Sequence, residues 1–110
     1  MIKLPPDRYL QRFFEITGEM NELTSKKNAD YSGDVNAFQN FLLADVLGIT
    51  TVERGILVRM TDKLQRIANL VDKDPNVKSE AVADTLTDLA VYSIILRIYL
   101  EEKAKETINN

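Results

Sequence analysis

The chain contains neither cysteine nor histidine. Without cysteine there are no disulfides, thiolate nucleophiles or cysteine-based zinc sites. Without histidine there are no imidazole general bases, no serine-type triads and few routes to a zinc or iron centre. Any chemistry must run on carboxylates, lysine, arginine, tyrosine or the backbone. The metals that suit such a set are Mg²⁺ and Mn²⁺, held by oxygen. Turn-formers are scarce, with four Gly and three Pro in 110 residues, which favours long helices over many short strands. A basic surplus is missing as well. The formal net charge is −3 and the sequence pI is about 4.9, so duplex nucleic acid is not an expected partner. Met1-Ile2-Lys3-Leu4-Pro5-Pro6 has no apolar run after its charge and does not read as a signal peptide. The most apolar stretch, 86–100, is interrupted by Asp88, Ser93 and Arg97 and is too short to span a membrane. The expectation is a cytoplasmic protein with no membrane partner.

What is present fits one globular domain over residues 1–110, folded from about 7 to 106, since hydrophobic residues make up 45% and charged residues 28%. Pro5-Pro6-Asp7 reads as a helix start. Leu10, Phe13, Phe14, Ile16, Met20 and Leu23 then follow at helical spacing, predicting a helix over 7–27. Residues 28–35 are rich in turn-formers and read as a loop with Gly33 at a special backbone position. A short helix is expected over 36–47, closed by Gly48. Thr50-Thr51-Val52-Glu53 reads as a capping box, with a hydroxyl at the N-cap and a glutamate three residues on. The helix it opens should run to about residue 72 and bury the arc of Ile56, Leu57, Met60, Leu64, Ile67 and Val71. Asp72-Lys73-Asp74-Pro75-Asn76 reads as a turn with a proline breaker, and Ser79 as the cap of a last helix over 79–106. The sum is an all-α antiparallel bundle of three long helices and one short helix. The last helix is apolar around nearly its whole circumference, which a bundle this small cannot cover, so a homo-oligomer through 79–106 is expected.

Two carboxylates sit on that oily helix. Asp84 and Asp88 are one turn apart, on one face. Like charges at this spacing repel, so a cation should lie between or opposite them. The preceding helix offers Arg59, Asp62, Lys63 and Arg66 within a sector of about 100°. Salt bridges that fix helix register are one explanation. The other is a site in which the carboxylates hold Mg²⁺ while the Arg and Lys side chains hold phosphate oxygens. In that case the segment at 26–33 would close over the ligand, with Tyr31 stacking on a base and Asn28 or Asn40 reading its edge.

Four ordered blocks carry a resemblance to a known family. They are Lys27-Asn28-Ala29-Asp30-Tyr31-Ser32-Gly33-Asp34, Asn40-Phe41, the run 55–66 (Gly55-Ile56-Leu57-Val58-Arg59-Met60-Thr61-Asp62-Lys63-Leu64-Gln65-Arg66), and the run 84–92 from Asp84 to Tyr92. Over about residues 26–100 the chain resembles the phage-associated helical family called nucleotide modification associated domain one. It is also distantly similar to the MazG-like all-α nucleotide pyrophosphohydrolases. The resemblance implies a viral protein of nucleotide metabolism or DNA modification, acting in the host cytoplasm. It implies Mg²⁺ at Asp62, Asp84 and Asp88, with Asp84 and Asp88 catalytic. Nucleotide binding would fall to Lys27, Asn28, Asp30, Tyr31, Asn40, Arg59, Lys63 and Arg66. The enzymes carry a Glu-x-x-Glu on one helix and a Glu-x-x-Asp on the next. Here residue 59 is Arg, and three residues before Asp84 stands Ala81, with Glu80 one position off. An incomplete acidic motif beside a retained basic set also suits a different role, a non-catalytic sponge that sequesters nucleotide second messengers of bacterial immunity.

Overall fold

Proline opens the first and the last helix of the chain. A proline in the first helical turn sacrifices no backbone bond, because the N–H it lacks would have had no intrahelical acceptor. The computed structural model describes residues 1–31, 38–73 and 75–109, and their side chains other than those of 27–31, 75–80 and 109. Among the described residues there are four helices and no strand: α1 (Pro6–Tyr31), α2 (Gln39–Val46), α3 (Val52–Leu70) and α4 (Pro75–Asn109). None of these helices is long and apolar enough to cross a membrane. The chain divides into two compact units, Met1–Ala37 and Phe38–Asn110.

The first unit holds α1. It continues to Tyr31, so residues 28–31 are helical where a loop was expected. Asn28, Ala29 and Asp30 include neither Gly nor Pro, and nothing in them stops a helix already under way. The rest of the expected loop, Gly33 included, lies outside the described residues. One face of α1 carries exposed ion pairs, Arg12 with Glu15 at 3.0 Å and with Glu19 at 3.8 Å. The Thr17 hydroxyl donates back to the Phe13 carbonyl at 3.1 Å, which satisfies a polar group beside the phenylalanines.

In the second unit α2 ends as its glycine requires. Gly48 takes φ +75°, the Gly48 N–H donates to the Asp45 carbonyl at 2.9 Å, and the Ile49 N–H donates to Ala44 at 2.9 Å. These paired bonds are a Schellman closure. The α3 start corrects the expected capping box by one residue. Thr51, not Thr50, is the N-cap, and its hydroxyl accepts from the Arg54 N–H at 3.2 Å. Glu53 therefore stands two residues into the helix rather than at the reciprocal position. The α4 start is corrected as well. Pro75 begins the helix instead of breaking the chain before Ser79.

α2 packs on α3, and α3 packs along α4. Two ion pairs between α3 and α4 fix their direction. Glu53 meets Lys103 at 2.7 Å, and Lys63 meets Asp88 at 3.4 Å. Moving forward along α3 moves backward along α4, so the helices are antiparallel. Val52, Ile56 and Thr85 are the buried side chains among the described residues. Thr85 satisfies its hydroxyl within its own helix by donating to the Ala81 carbonyl at 2.7 Å. The buried stripe of α3 is rotated from the expected arc. Met60 and Ile67 are half-buried beside Ile56, whereas Leu57, Leu64 and Val71 are exposed. Lys63 takes the inward position instead. Its aliphatic stem lies along the helix interface while its ammonium reaches Asp88.

Candidate functional site

The Lys63–Asp88 bridge decides which charges of α3 and α4 come together. Both side chains are partly shielded, 28% and 30% exposed. From this pair, one more turn of α3 reaches Arg66 and one turn back along α4 reaches Asp84. At about 1.5 Å of rise per residue the two come level, on the edge that carries Lys63 and Asp88. Arg59 lies one turn before Lys63 on the same edge, with Asp62 beside it. The helical period thus lines Arg59, Lys63 and Arg66 along α3, next to Asp84 and Asp88 along α4. Arg59, Asp62, Arg66 and Asp84 are exposed. α2 reaches the same stretch of α4, since the Phe41 ring meets Tyr92, one turn beyond Asp88, with centroids 6.4 Å apart and planes at 77°. Asn40 precedes Phe41 and is exposed.

The other expected nucleotide-binding residues belong to the other unit. Lys27, Asn28, Asp30 and Tyr31 fall on the last turns of α1, and their side chains lie outside the described ones. Among the described residues no group of three or more carboxylates is gathered closely enough to hold a metal ion. Glu53, considered as a substitute ligand for the missing acids, is committed elsewhere. It lies ten residues before Lys63, about 15 Å of helix, and is bonded to Lys103.

That second cluster was not legible in the sequence. Glu53, Lys103 and Tyr99 meet where the start of α3 passes the later turns of α4. The Lys103 ammonium, together with the Thr51 hydroxyl, holds the Glu53 carboxyl below its usual range. The Glu53 carboxylate in turn holds the Lys103 ammonium above its usual value. Burial, reinforced by the Glu53 charge, pushes the Tyr99 phenol up. The Phe38 ring meets Tyr99 edge-on at 5.3 Å and 80°. The cluster ties three helices together at one end of the unit, and its charges satisfy one another. Fifty residues separate Glu53 from Lys103, so only the register of α3 against α4 could reveal the contact.

Compared with protein-family models, with curated proteins and with solved structures, the chain finds no match.

Proposed function

We propose that the edge shared by α3 and α4 binds a nucleotide or a nucleotide-derived phosphate ligand. The observation that carries this reading is the alignment of three cationic side chains, Arg59, Lys63 and Arg66, beside Asp84 and Asp88, in the register set by the Lys63–Asp88 contact. Guanidinium groups offer paired N–H donors to phosphate oxygens. Lys63 adds a point charge already held in place by Asp88. Asn40, on α2, supplies amide groups of the kind that read a base edge, and Lys27, Asn28, Asp30 and Tyr31 are assigned to the base and ribose by the family resemblance alone.

Mg²⁺ belongs to the same reading. Carboxylate oxygens are the donors it takes, and Asp62, Asp84 and Asp88 are the residues that would hold it. When bound, the ion supplies charge neutralisation at the phosphates. The finer form of the proposal is pyrophosphohydrolysis of a nucleoside triphosphate in phage nucleotide metabolism, with Asp84 and Asp88 catalytic. One observation favours the non-catalytic alternative, a sponge for nucleotide second messengers: Asp88 is already compensated by Lys63, a resting arrangement that suits ligand capture without a free carboxylate. The proposal also includes self-association through α4.

A single assay separates the two forms. The protein is incubated with Mg²⁺ and a panel of deoxynucleoside triphosphates and cyclic nucleotides, and the supernatant is chromatographed. New products that vanish in Asp84→Ala support hydrolysis. Ligand that is depleted and returns intact on heating supports sequestration. If no ligand is depleted or converted, both forms are rejected.

A further inference from the structure

The outward face of α4 is more apolar than a solvent-facing helix needs to be. Leu86, Ile94, Ile98 and Leu100 are each 45–50% exposed, and Ile108 is 82% exposed in a tail that is otherwise polar or charged. A shallow open groove runs along this face, lined by Ser93, Leu96, Arg97, Leu100, Glu101 and Ala104. Its two charges are joined to each other, Arg97 to Glu101 at 2.8 Å. Inside the unit the fully buried apolar side chains among the described residues are Val52 and Ile56. A unit of this size needs more apolar burial than that to hold together.

We infer that a second copy of this chain covers this face, α4 against α4, in antiparallel orientation about a two-fold axis near the Arg97–Glu101 turn. This rests on the self-association proposed above and gives it a surface and a direction. A two-fold interface uses one patch twice, so the patch must be complementary to itself. Arg97 and Glu101 meet that condition, because they carry both signs within one turn. Antiparallel pairing sets Arg97 of each copy opposite Glu101 of the other. Parallel pairing sets like charge against like and is disfavoured. A foreign partner would need no such balance in the patch. The same register brings Ile94 opposite Ala104 and Ile108 opposite Ala90, which gives the isoleucine of the charged tail a place to bury. Arg97, Glu101, Ala104 and Ile108 recur at helical spacing on one side of α4, so the stripe reaches into the tail that composition alone would leave in solvent.

The test is the mass of the full chain in solution by light scattering, with far-ultraviolet circular dichroism reporting helicity. The wild type is expected to be a dimer. Arg97→Glu is expected to halve the mass, and the exchange Arg97→Glu with Glu101→Arg to restore it at full helicity. If Arg97→Glu disturbs the helix, the exchange variant still decides: a dimer supports the surface, and a folded monomer overturns it. A wild-type dimer that survives both Arg97→Glu and Ile94→Asp overturns this surface and leaves self-association through another face. A monomeric wild type overturns self-association itself and leaves the patch to a foreign protein or to a segment of its own chain.

Discussion

Ile56 has no solvent-exposed surface, and Val52 one turn earlier is nearly as deep. With so few side chains fully buried, each carries a large share of the unit's packing. Ile56→Ala is expected to cost about 2–5 kcal/mol, read as a fall in the chemical denaturation midpoint. Leu64→Ala, on the exposed stripe, should cost far less. The Glu53–Lys103 pair sets a pH window. The folded state holds Glu53 below its ordinary value of 4.5. Below 4.5 the unfolded chain therefore binds the extra proton first, and the pair's contribution is lost as pH falls through the folded value. The folded state holds Lys103 above its ordinary value of 10.5, so that contribution is present below 10.5 and lost as pH rises through the folded value. The melting temperature difference between wild type and Glu53→Gln should be largest between those limits and shrink on either side. A difference that stays constant on acidification would contradict the pairing. At this scale Asp84 and Asp88 were legible, because two acids on an apolar helix demand an account. Glu53 was not, because its meaning depends on a lysine fifty positions away.

The helices were mostly legible from periodicity and punctuation, and their errors have local causes. Gly48 closes α2 because a left-handed residue is needed to bond the last carbonyls, and a glycine announces that in sequence. Thr50 and Thr51 offer the same hydroxyl in adjacent positions, and spacing to Glu53 favours the wrong one. The structure places the cap on Thr51. Thr51→Ala should therefore cost about 1 kcal/mol and Thr50→Ala only a few tenths, measured by thermal denaturation of the two variants side by side. Pro75 reads equally well as a breaker or as a first-turn residue, and only the chain that follows it distinguishes them. The rotation of α3 was hidden for another reason. An apolar arc predicts that Leu57, Leu64 and Val71 face inward, yet the charge on Asp88 across the interface draws Lys63 there instead. The pairing partner, not the arc, sets which face packs.

At the scale of the molecule, an all-helical chain followed from few turn-formers and strong helical spacing. The way α2, α3 and α4 come together is explained by two cross-helix ion pairs and an edge-on contact of Phe38 with Tyr99. The apolar excess of α4 was legible as an all-round oily helix. Its division into a packed face bearing Asp88, Tyr92 and Tyr99 and an outward face bearing Ile94, Ile98 and Ile108 needed the structure. The same division sorts function. The α3–α4 edge with its five charged side chains is read as the ligand site, and the outward face as the contact between copies. The site was half legible. The charges on α3 and α4 were found from spacing, but which of them pair is a matter of register.

The central claim is that this edge binds phosphate. Isothermal titration of the full chain with a deoxynucleoside triphosphate and with pyrophosphate, each in Mg²⁺, tests it most directly. The account predicts saturable binding to at least one of them that weakens as ionic strength rises, as exposed charges are screened. It predicts loss of that binding in Arg59→Glu/Arg66→Glu, a variant that should keep its helicity because both side chains are exposed. Binding that persists in the charge-reversed variant, or no heat from either ligand with the wild type, would contradict it.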